Sequence, residues 1–269
     1  MAEAWLIIKE QIANYRTIFR LARYEEKATY QSHYLGLVWQ ILNPLIQVAI
    51  YYLIFGLGVN GGRKVEGTPF IIWMLIGIIA WFFINSSLLG ASNSIYKQVN
   101  LVSKMKFPVS ILPMNNIVSN LSSYFPMMFF LILALFVYGI YPTIFWIQYF
   151  YYFFAMIIFL FSFGILNATI TTVIRDYHIA LQSILRLLFY VSGPIWDINN
   201  RNLPDALIKI LKLNPIYYLI EGFRDSLLSR AWFWEKGTYA LIFWGITLFM
   251  LILGSHLHLK FRNRFVDLV

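Results

Sequence analysis

Polar and apolar positions are unevenly distributed along this chain. Residues 68–95 and 107–174 contain no charged residue, and further apolar runs flank them on both sides. A helix needs about 20 apolar residues to cross the hydrocarbon of a bilayer. The runs therefore predict six transmembrane helices, at about 34–57, 69–89, 110–138, 146–172, 178–196 and 237–257. The uncharged stretch 107–174 is too long for one crossing, and the sequence GIYP at 139–142 supplies the turn that divides it. Asn43-Pro44 falls inside the first run, where the missing backbone donor of proline loosens a helical turn. The predicted class is an all-α membrane protein.

The remaining segments have their own periodicities. In residues 4–27, Trp5, Ile8, Ile12, Tyr15, Phe19 and Ala22 recur at three- and four-residue steps, as on one helical face. Lys9, Arg16, Arg20, Arg23 and Lys27 follow one edge of that face. This pattern predicts an amphipathic helix lying in the membrane interface, within an amino-terminal unit 1–33 ahead of the membrane domain 34–259. Residues 203–213 and 215–228 are apolar but too short to cross, and proline bounds each. They are expected to form a re-entrant helical hairpin before the last span, since irregular backbone at membrane depth requires protein or water around it. Span four is crowded with rings from Phe145 to Phe154, as an aromatic belt at a membrane boundary would be.

Composition agrees with this layout. Only 12% of residues are charged and 60% are hydrophobic, whereas soluble domains carry about 25% charged residues. The net charge of +9 suggests nucleic acid at first sight, but retained loops of membrane proteins collect Lys and Arg. Six spans put the amino terminus, the loop 92–108, Arg175 and the tail 260–269 on one side. That side is expected to be cytoplasmic, with both termini inside. The loop holds Lys97, Lys104 and Lys106 and no acid, so a soluble partner has a basic segment to push on.

Catalytic signals are weak. Gly56, Gly58 and Gly61 spell a dinucleotide-loop pattern at the end of a membrane helix, the wrong context for one. No phosphate-binding GxxxxGK[ST] sequence occurs, so any ATP and Mg belong to a partner and no cofactor or metal is expected in this chain. His256 and His258 find no third ligand. NSS at 85–87, NLS at 120–122 and NAT at 167–169 match glycosylation sequons but lie in or beside spans, and are set aside. The predicted spans hold no Asp or Glu, which argues against ion-coupled transport and against an embedded hydrolase. Arg186 is the one charge placed well inside a span, where such a residue faces a cavity or a partner.

Several local sequences resemble one family: YQSHYLGLVW at 30–39 leading into LNP at 42–44, then KMKFP at 104–108, VIRDY at 173–177, LNPIY at 213–217 and GFR at 222–224. With the six-span layout they resemble the ABC-2 permeases that export cell-surface polysaccharide. Residues 172–196 and the aromatic fourth span look most like the teichoic-acid translocation permeases of Gram-positive bacteria. The resemblance implies a bacterial plasma-membrane subunit that pairs with a second copy and docks on two separate ATPase subunits. It would move polyprenyl-diphosphate-linked wall teichoic acid. O-antigen or capsule export is the alternative cargo, and a membrane-embedded glycosyl- or acyltransferase the alternative class. It further implies ATPase coupling through Lys97, Leu101, Lys104, Lys106 and Phe107, and a cytoplasmic gate or substrate entrance at Arg175, Asp176 and Arg186. Trp39, Tyr149, Tyr152, Phe189 and Tyr190 are the aromatics expected to line a glycan path.

Overall fold

The structure, a computed structural model, describes residues 1–30, 34–59, 64–98, 108–198, 203–262 and 265. In chain order it contains helices α1 (Ala2–Ala13), α2 (Tyr15–Tyr30), α3 (Trp39–Tyr51), α4 (Phe70–Ser92) and α5 (Ser94–Lys97). These are followed by α6 (Ile111–Val137), α7 (Gln148–Val173), α8 (Tyr177–Val191), α9 (Asp205–Lys212), α10 (Pro215–Leu227) and α11 (Gly237–Phe261). Strands β1 (Lys64–Val65) and β2 (Thr68–Pro69) form a small antiparallel hairpin before α4. Its turn residues Glu66 (φ 47°) and Gly67 (φ 80°) both adopt the left-handed conformation that tight hairpins need.

Among the described residues, five helical stretches are long and apolar enough to cross a membrane: Trp39–Gly58, Phe70–Ser92, Ile111–Val137, Ile144–Val173 and Gly237–Phe261. The chain belongs to the all-α membrane class. α8 is shorter. Its 15 residues rise about 22 Å, less than the roughly 30 Å of hydrocarbon. The helix stops at Ser192 rather than running to 196, because Gly193 turns to φ +65° and Pro194 follows. The first predicted span is also not one regular helix: a short 3₁₀ turn (Gly36–Val38) precedes α3, and a π-helical segment (Tyr52–Val59) follows it.

The single helix expected over 4–27 is two. Asn14 interrupts it with φ −108° and ψ 17°, and its Nδ2 donates to Glu10 O at 2.9 Å. An Asn side chain competes for backbone groups in this way, so it favours helix ends. The turn predicted at 139–142 is present. Gly139 adopts φ +75°, Gly139 N–H donates to Phe136 O, and Ile140 N–H donates to Leu135 O. That is the glycine-closed helix end in which a left-handed residue satisfies the last carbonyls.

α4 and α7 form the buried axis. α4 is apolar along most of its length and mostly buried, packed against α6, α7 and α10, while α7 also packs along α11. Helices in lipid associate through close packing, which small residues permit. A Cβ on Gly254 would lie 3.0 Å from Leu166 N, and one on Gly222 would fall within the Tyr152 ring. α3 is peripheral, with 11% of its apolar window buried against 72% for α4, so most of its surface is left for lipid or another chain.

α9 and α10 occupy the predicted hairpin region. Pro215 starts α10, and the Asn214 side chain accepts from Ile216 N–H at 2.9 Å. α9 has no buried residue, whereas α10 is buried along most of its length. The anchor is Arg224, which is fully buried. Its guanidinium donates to the carbonyls of Trp73 (3.3 Å), Gly193 (3.1 Å) and Pro194 (2.9 Å), pairs with Glu221 at 2.6 Å, and lies 3.3 Å from the Trp73 ring centroid. Gly77 leaves the space: a Cβ there would lie 2.5 Å from Arg224 Nη2. Asp225, one residue on, pairs with Lys236.

Burial outweighs that pairing and pushes the Asp225 carboxyl up to about 6, against about 3.9 in an unfolded chain. Between these values the folded state binds more protons than the unfolded state. The stability this proton contributes is therefore full below about pH 4 and lost as pH rises through about 6. Thermal melts of the purified protein from pH 4 to 7 should show that decline, and Asp225→Asn should flatten it.

Candidate functional site

Among the described residues, ion pairs gather at two ends of the bundle. At one end Glu3 meets His256 and Glu10 meets Arg262; at the other Glu66 meets Arg230, with the Glu221–Arg224 and Asp225–Lys236 pairs nearby. α8 joins the two ends. His178 at its start lies 2.8 Å from Ser92 Oγ at the end of α4, and the chain beyond its last turn accepts from Arg224 beside Trp73, in the first turn of α4.

Between the ends, α3, α4 and α6 enclose a polar groove. Gln40, Asn43 and Gln47 recur at three- and four-residue steps on α3, and Asn116, Asn120 and Ser123 do the same on α6. Asn85 and Ser86 come from α4. A cavity of about 290 Å³ lies among Trp39, Gln40, Asn43, Gln47, Asn85 and Asn120. A second of about 400 Å³, lined by Glu25, Gln40, Lys97, Gln98, Asn115 and Asn116, shares Gln40, Asn120 and Ser123 with it. The two run together toward the amino-terminal helices. A wider groove of about 1450 Å³ opens beside them between α2 and α6, where Arg20, Arg23 and Lys27 face Ser119, Ser122 and Phe125.

Amide and hydroxyl groups are costly in hydrocarbon unless they are paired. Here the pairing is mixed. Asn120 Nδ2 donates to Asn116 Oδ1 at 3.1 Å and Gln40 Nε2 to Glu26 Oε1 at 3.2 Å, both of ordinary length. The bonds of Asn120 to Ser87 Oγ at 3.4 Å and of Gln40 to Ser122 Oγ at 3.5 Å are weak. Asn115 Oδ1 and Gln98 Oε1 are buried with no hydrogen-bond partner, although their amide nitrogens donate to Glu25. Burial raises the Glu25 carboxyl above its usual range, opposed by those two donors and by the charge of Lys97. The groove thus presents donors and acceptors with spare capacity, suited to a hydroxyl-rich ligand.

The residues singled out from sequence are dispersed. Lys97 ends α5 and lines the inner cavity, and Trp39 lines the groove. Leu101, Lys104, Lys106 and Phe107 lie outside the described residues. The Arg175 guanidinium lies 5.5 Å from the Tyr96 ring centroid, and the Asp176 carbonyl accepts from Ile179 and Ala180 N–H at the start of α8. Arg186 sits on the exposed face of α8, its Nε donating to Gln182 O at 3.4 Å. Tyr190 shares that exposure, whereas Phe189 packs inward between Tyr51 and Trp81. Tyr149 donates to or accepts from Tyr124 at 2.8 Å between α6 and α7. Tyr152 is buried against Gly222, Tyr218 and Phe223, so within one copy it borders no open path.

The groove amides are not among those residues. Their helical spacing on α3 and α6 is the signal the sequence offers for them, and Asn85-Ser86-Ser87 and Asn120-Leu121-Ser122 match sequons by spelling alone.

These features belong to a helical membrane bundle with a polar groove beside a basic face. The family profile for the ABC-2 type transporter matches residues 16–228, and the chain belongs to that family. It is similar to the O-antigen export system permease protein RfbA of Klebsiella pneumoniae, at 25% identity over 244 residues covering 90% of this chain and 91% of the relative. The protein of the same name in Myxococcus xanthus is 25% identical over 210 residues, covering 77% of this chain and 78% of the relative. Membership of this family implies an ATPase partner.

Proposed function

We propose that this chain is the permease subunit of an ATP-driven exporter that carries lipid-linked cell-surface polysaccharide across the cytoplasmic membrane. The observation that carries the reading is the polar groove of α3, α4 and α6, continuous with a basic opening between α2 and α6. Arg20, Arg23 and Lys27 at that opening suit the diphosphate of a lipid-linked glycan. Gln40, Asn43, Asn85 and Asn120 suit the hydroxyls of its first sugars. The names of the relatives support a glycan cargo of the O-antigen kind. The finer choice of wall teichoic acid rests on the sequence resemblance.

In this reading the chain crosses the membrane six times, with α8 and the residues after it forming the fifth crossing. α1 and α2 lie in the cytoplasmic interface, α9 and α10 form the outer re-entrant hairpin, and both termini are cytoplasmic. Two copies pair and two ATPase subunits dock beneath. The segment 94–107 couples the motor to the bundle through Lys97, Leu101, Lys104, Lys106 and Phe107. Arg175, Asp176 and Arg186 mark the gate, and Trp39 and Tyr190 are the aromatics with surface left for a glycan path.

Co-expression with its ATPase should yield a stable complex whose ATP hydrolysis responds to lipid-linked precursor. Reversing Lys97, Lys104 and Lys106 to Glu should leave hydrolysis and stop export. Failure of the chain to assemble with any ATPase would overturn the reading, and unchanged export in the reversal variant would remove the coupling segment from it.

A further inference from the structure

The chain just beyond the last helix turns back beneath the bundle. Phe265, past the end of α11, is fully buried. It belongs to a small apolar cluster with Ile95 of α5, Val109, Leu112 of α6 and Ala168 of α7, and Leu21 of α2 and Phe261 pack against that cluster. The cluster is separate from the main core. Phe265 is its largest member, with its ring centroid 5.4 Å from that of the buried His258, whose Nδ1 lies 3.3 Å from Thr169 Oγ1 of α7.

Ile95 precedes the basic stretch 97–106 and Val109 follows it, so one apolar cluster gathers both flanks of that stretch. Polar bonds repeat the pattern. Glu10 of α1 pairs with Arg262 at 2.8 Å and accepts from Ser110 Oγ, while Gln11 Nε2 donates to Ser110 O at 3.1 Å. Ser110 is fully buried. Exposed ion pairs contribute little, but the Glu10–Arg262 pair is largely sheltered from water. A second pair, Glu3 with His256 at 3.0 Å, also ties α11 to α1. The carboxyl-terminal turn is thus fastened through Phe265 to both flanks of the basic stretch, and through Arg262 and Glu10 to Ser110 on the following flank.

We propose that Phe265 and Arg262 are positioning residues of the transport cycle: they fasten both ends of the coupling segment to α1 and α11, so that a push from the motor moves these elements as one body. The inference rests on the export reading, in which segment 94–107 takes that push, and adds the route by which it reaches the last helix. Close-packed interiors pass displacement on instead of absorbing it. A buried ring shared by both flanks leaves little slack between them. Without the ring the segment still meets the motor through its own basic residues, but its movement is lost locally.

The test uses the full chain with its ATPase in proteoliposomes, a polyprenyl-diphosphate-linked glycan as cargo, and glycan exported per ATP hydrolysed as the readout. Hydrogen exchange of the permease alone accompanies it. Phe265→Ala should keep assembly and hydrolysis while the export ratio falls about tenfold, because truncating a buried ring costs at least one decade of an equilibrium. Phe265→Leu should keep most of the ratio. In Phe265→Ala the amides of Gln98, Ile111 and Leu112, which close turns on Ile95, Pro108 and Val109, should exchange about tenfold faster as the flanks open. Arg262→Glu should lower the export ratio in the same way. Adding Glu10→Arg should recover it, since the pair is then reversed and Ser110 Oγ accepts where it had donated. Lys260→Gln, exposed at the same end of α11, should change nothing.

An unchanged export ratio in Phe265→Ala overturns the proposal, as does unchanged exchange at those amides. If Phe265→Ala loses its single peak on size exclusion, the reversed pair decides: recovery supports the proposal and its absence overturns it. The export reading is tested separately by the unmodified chain. Failure of that chain to assemble with an ATPase or to export refutes the reading and the coupling role with it. Normal export by it, with an equal ratio in Phe265→Ala, refutes only the role of the tail.

Discussion

Replacing Arg224 with Leu should leave almost no folded protein. The change removes three hydrogen bonds to carbonyls from two distant segments and strips Glu221 of its partner inside the bundle. A buried charge left without compensation costs about 3–5 kcal/mol, a large fraction of the stability of most domains. Detergent-solubilised protein should then lose its single peak on size exclusion, or melt far below the parent. Arg224→Lys should recover little, because one ammonium on a flexible stem cannot reach three carbonyls and a carboxylate with the geometry of a planar fork. Adding Glu221→Gln to Arg224→Leu should restore part of the loss, since the orphaned charge is then gone. A melting temperature in Arg224→Leu equal to the parent's would show that α10 is held by its apolar contacts alone.

The second large effect is expected on transport and not on stability. Asn43→Leu with Asn120→Leu fills the groove between α3, α4 and α6 with side chains of similar length that offer no hydrogen bonds. The bundle should tolerate this, because Asn120 gives up one ordinary hydrogen bond to Asn116 and one weak bond to Ser87, while an apolar pair removes the desolvation penalty of both amides. Export should fall about ten- to thirtyfold, the equivalent of two hydrogen bonds of about 1 kcal/mol each to a passing glycan. Export of lipid-linked glycan into proteoliposomes, measured beside ATPase assembly, separates the two effects. Full export with both Leu residues in place would remove the groove from the pathway and return attention to the exposed face of α8, where Arg186 and Tyr190 lie.

The inner groove is rich in amides and hydroxyls, and the outer pocket, among Glu66, Asp225, Arg230 and Lys236, is lined by ion pairs. Arg224 connects the outer pocket to the fold, since Glu221 on the pocket wall is held by the residue that fastens α10 to α4.

Much of the architecture was legible before any coordinates. The crossings of α4, α6, α7 and α11 follow from the lengths of uncharged runs, and the turn at Gly139 and the start of α10 at Pro215 follow from single residues with narrow backbone preferences. Hydropathy is a sum over neighbours in the chain, so it survives without knowledge of the fold. What lies on which side of a helix does not. α4 is apolar along most of its length and has no amphipathic stripe to read, so nothing in it announces that Gly77 admits the guanidinium of a residue far along the chain.

The aromatics show the same limit. Tyr152 and Tyr190 are the same residue type, but α10 covers the first, whereas the second is left exposed among the described residues. Asn85 and Asn120 each lie in a short polar stretch within an apolar run, and the chain alone does not relate one stretch to the other. Only the packing of α3 and α6 against α4 brings them to one groove. Sequence by itself determined that several long apolar segments are present, where most of them turn and that they belong to the ABC-2 type transporters. The tertiary structure decided which polar side chains meet, because that depends on helix rotation and contact between segments far apart in the chain, and no local sum of residue properties contains either.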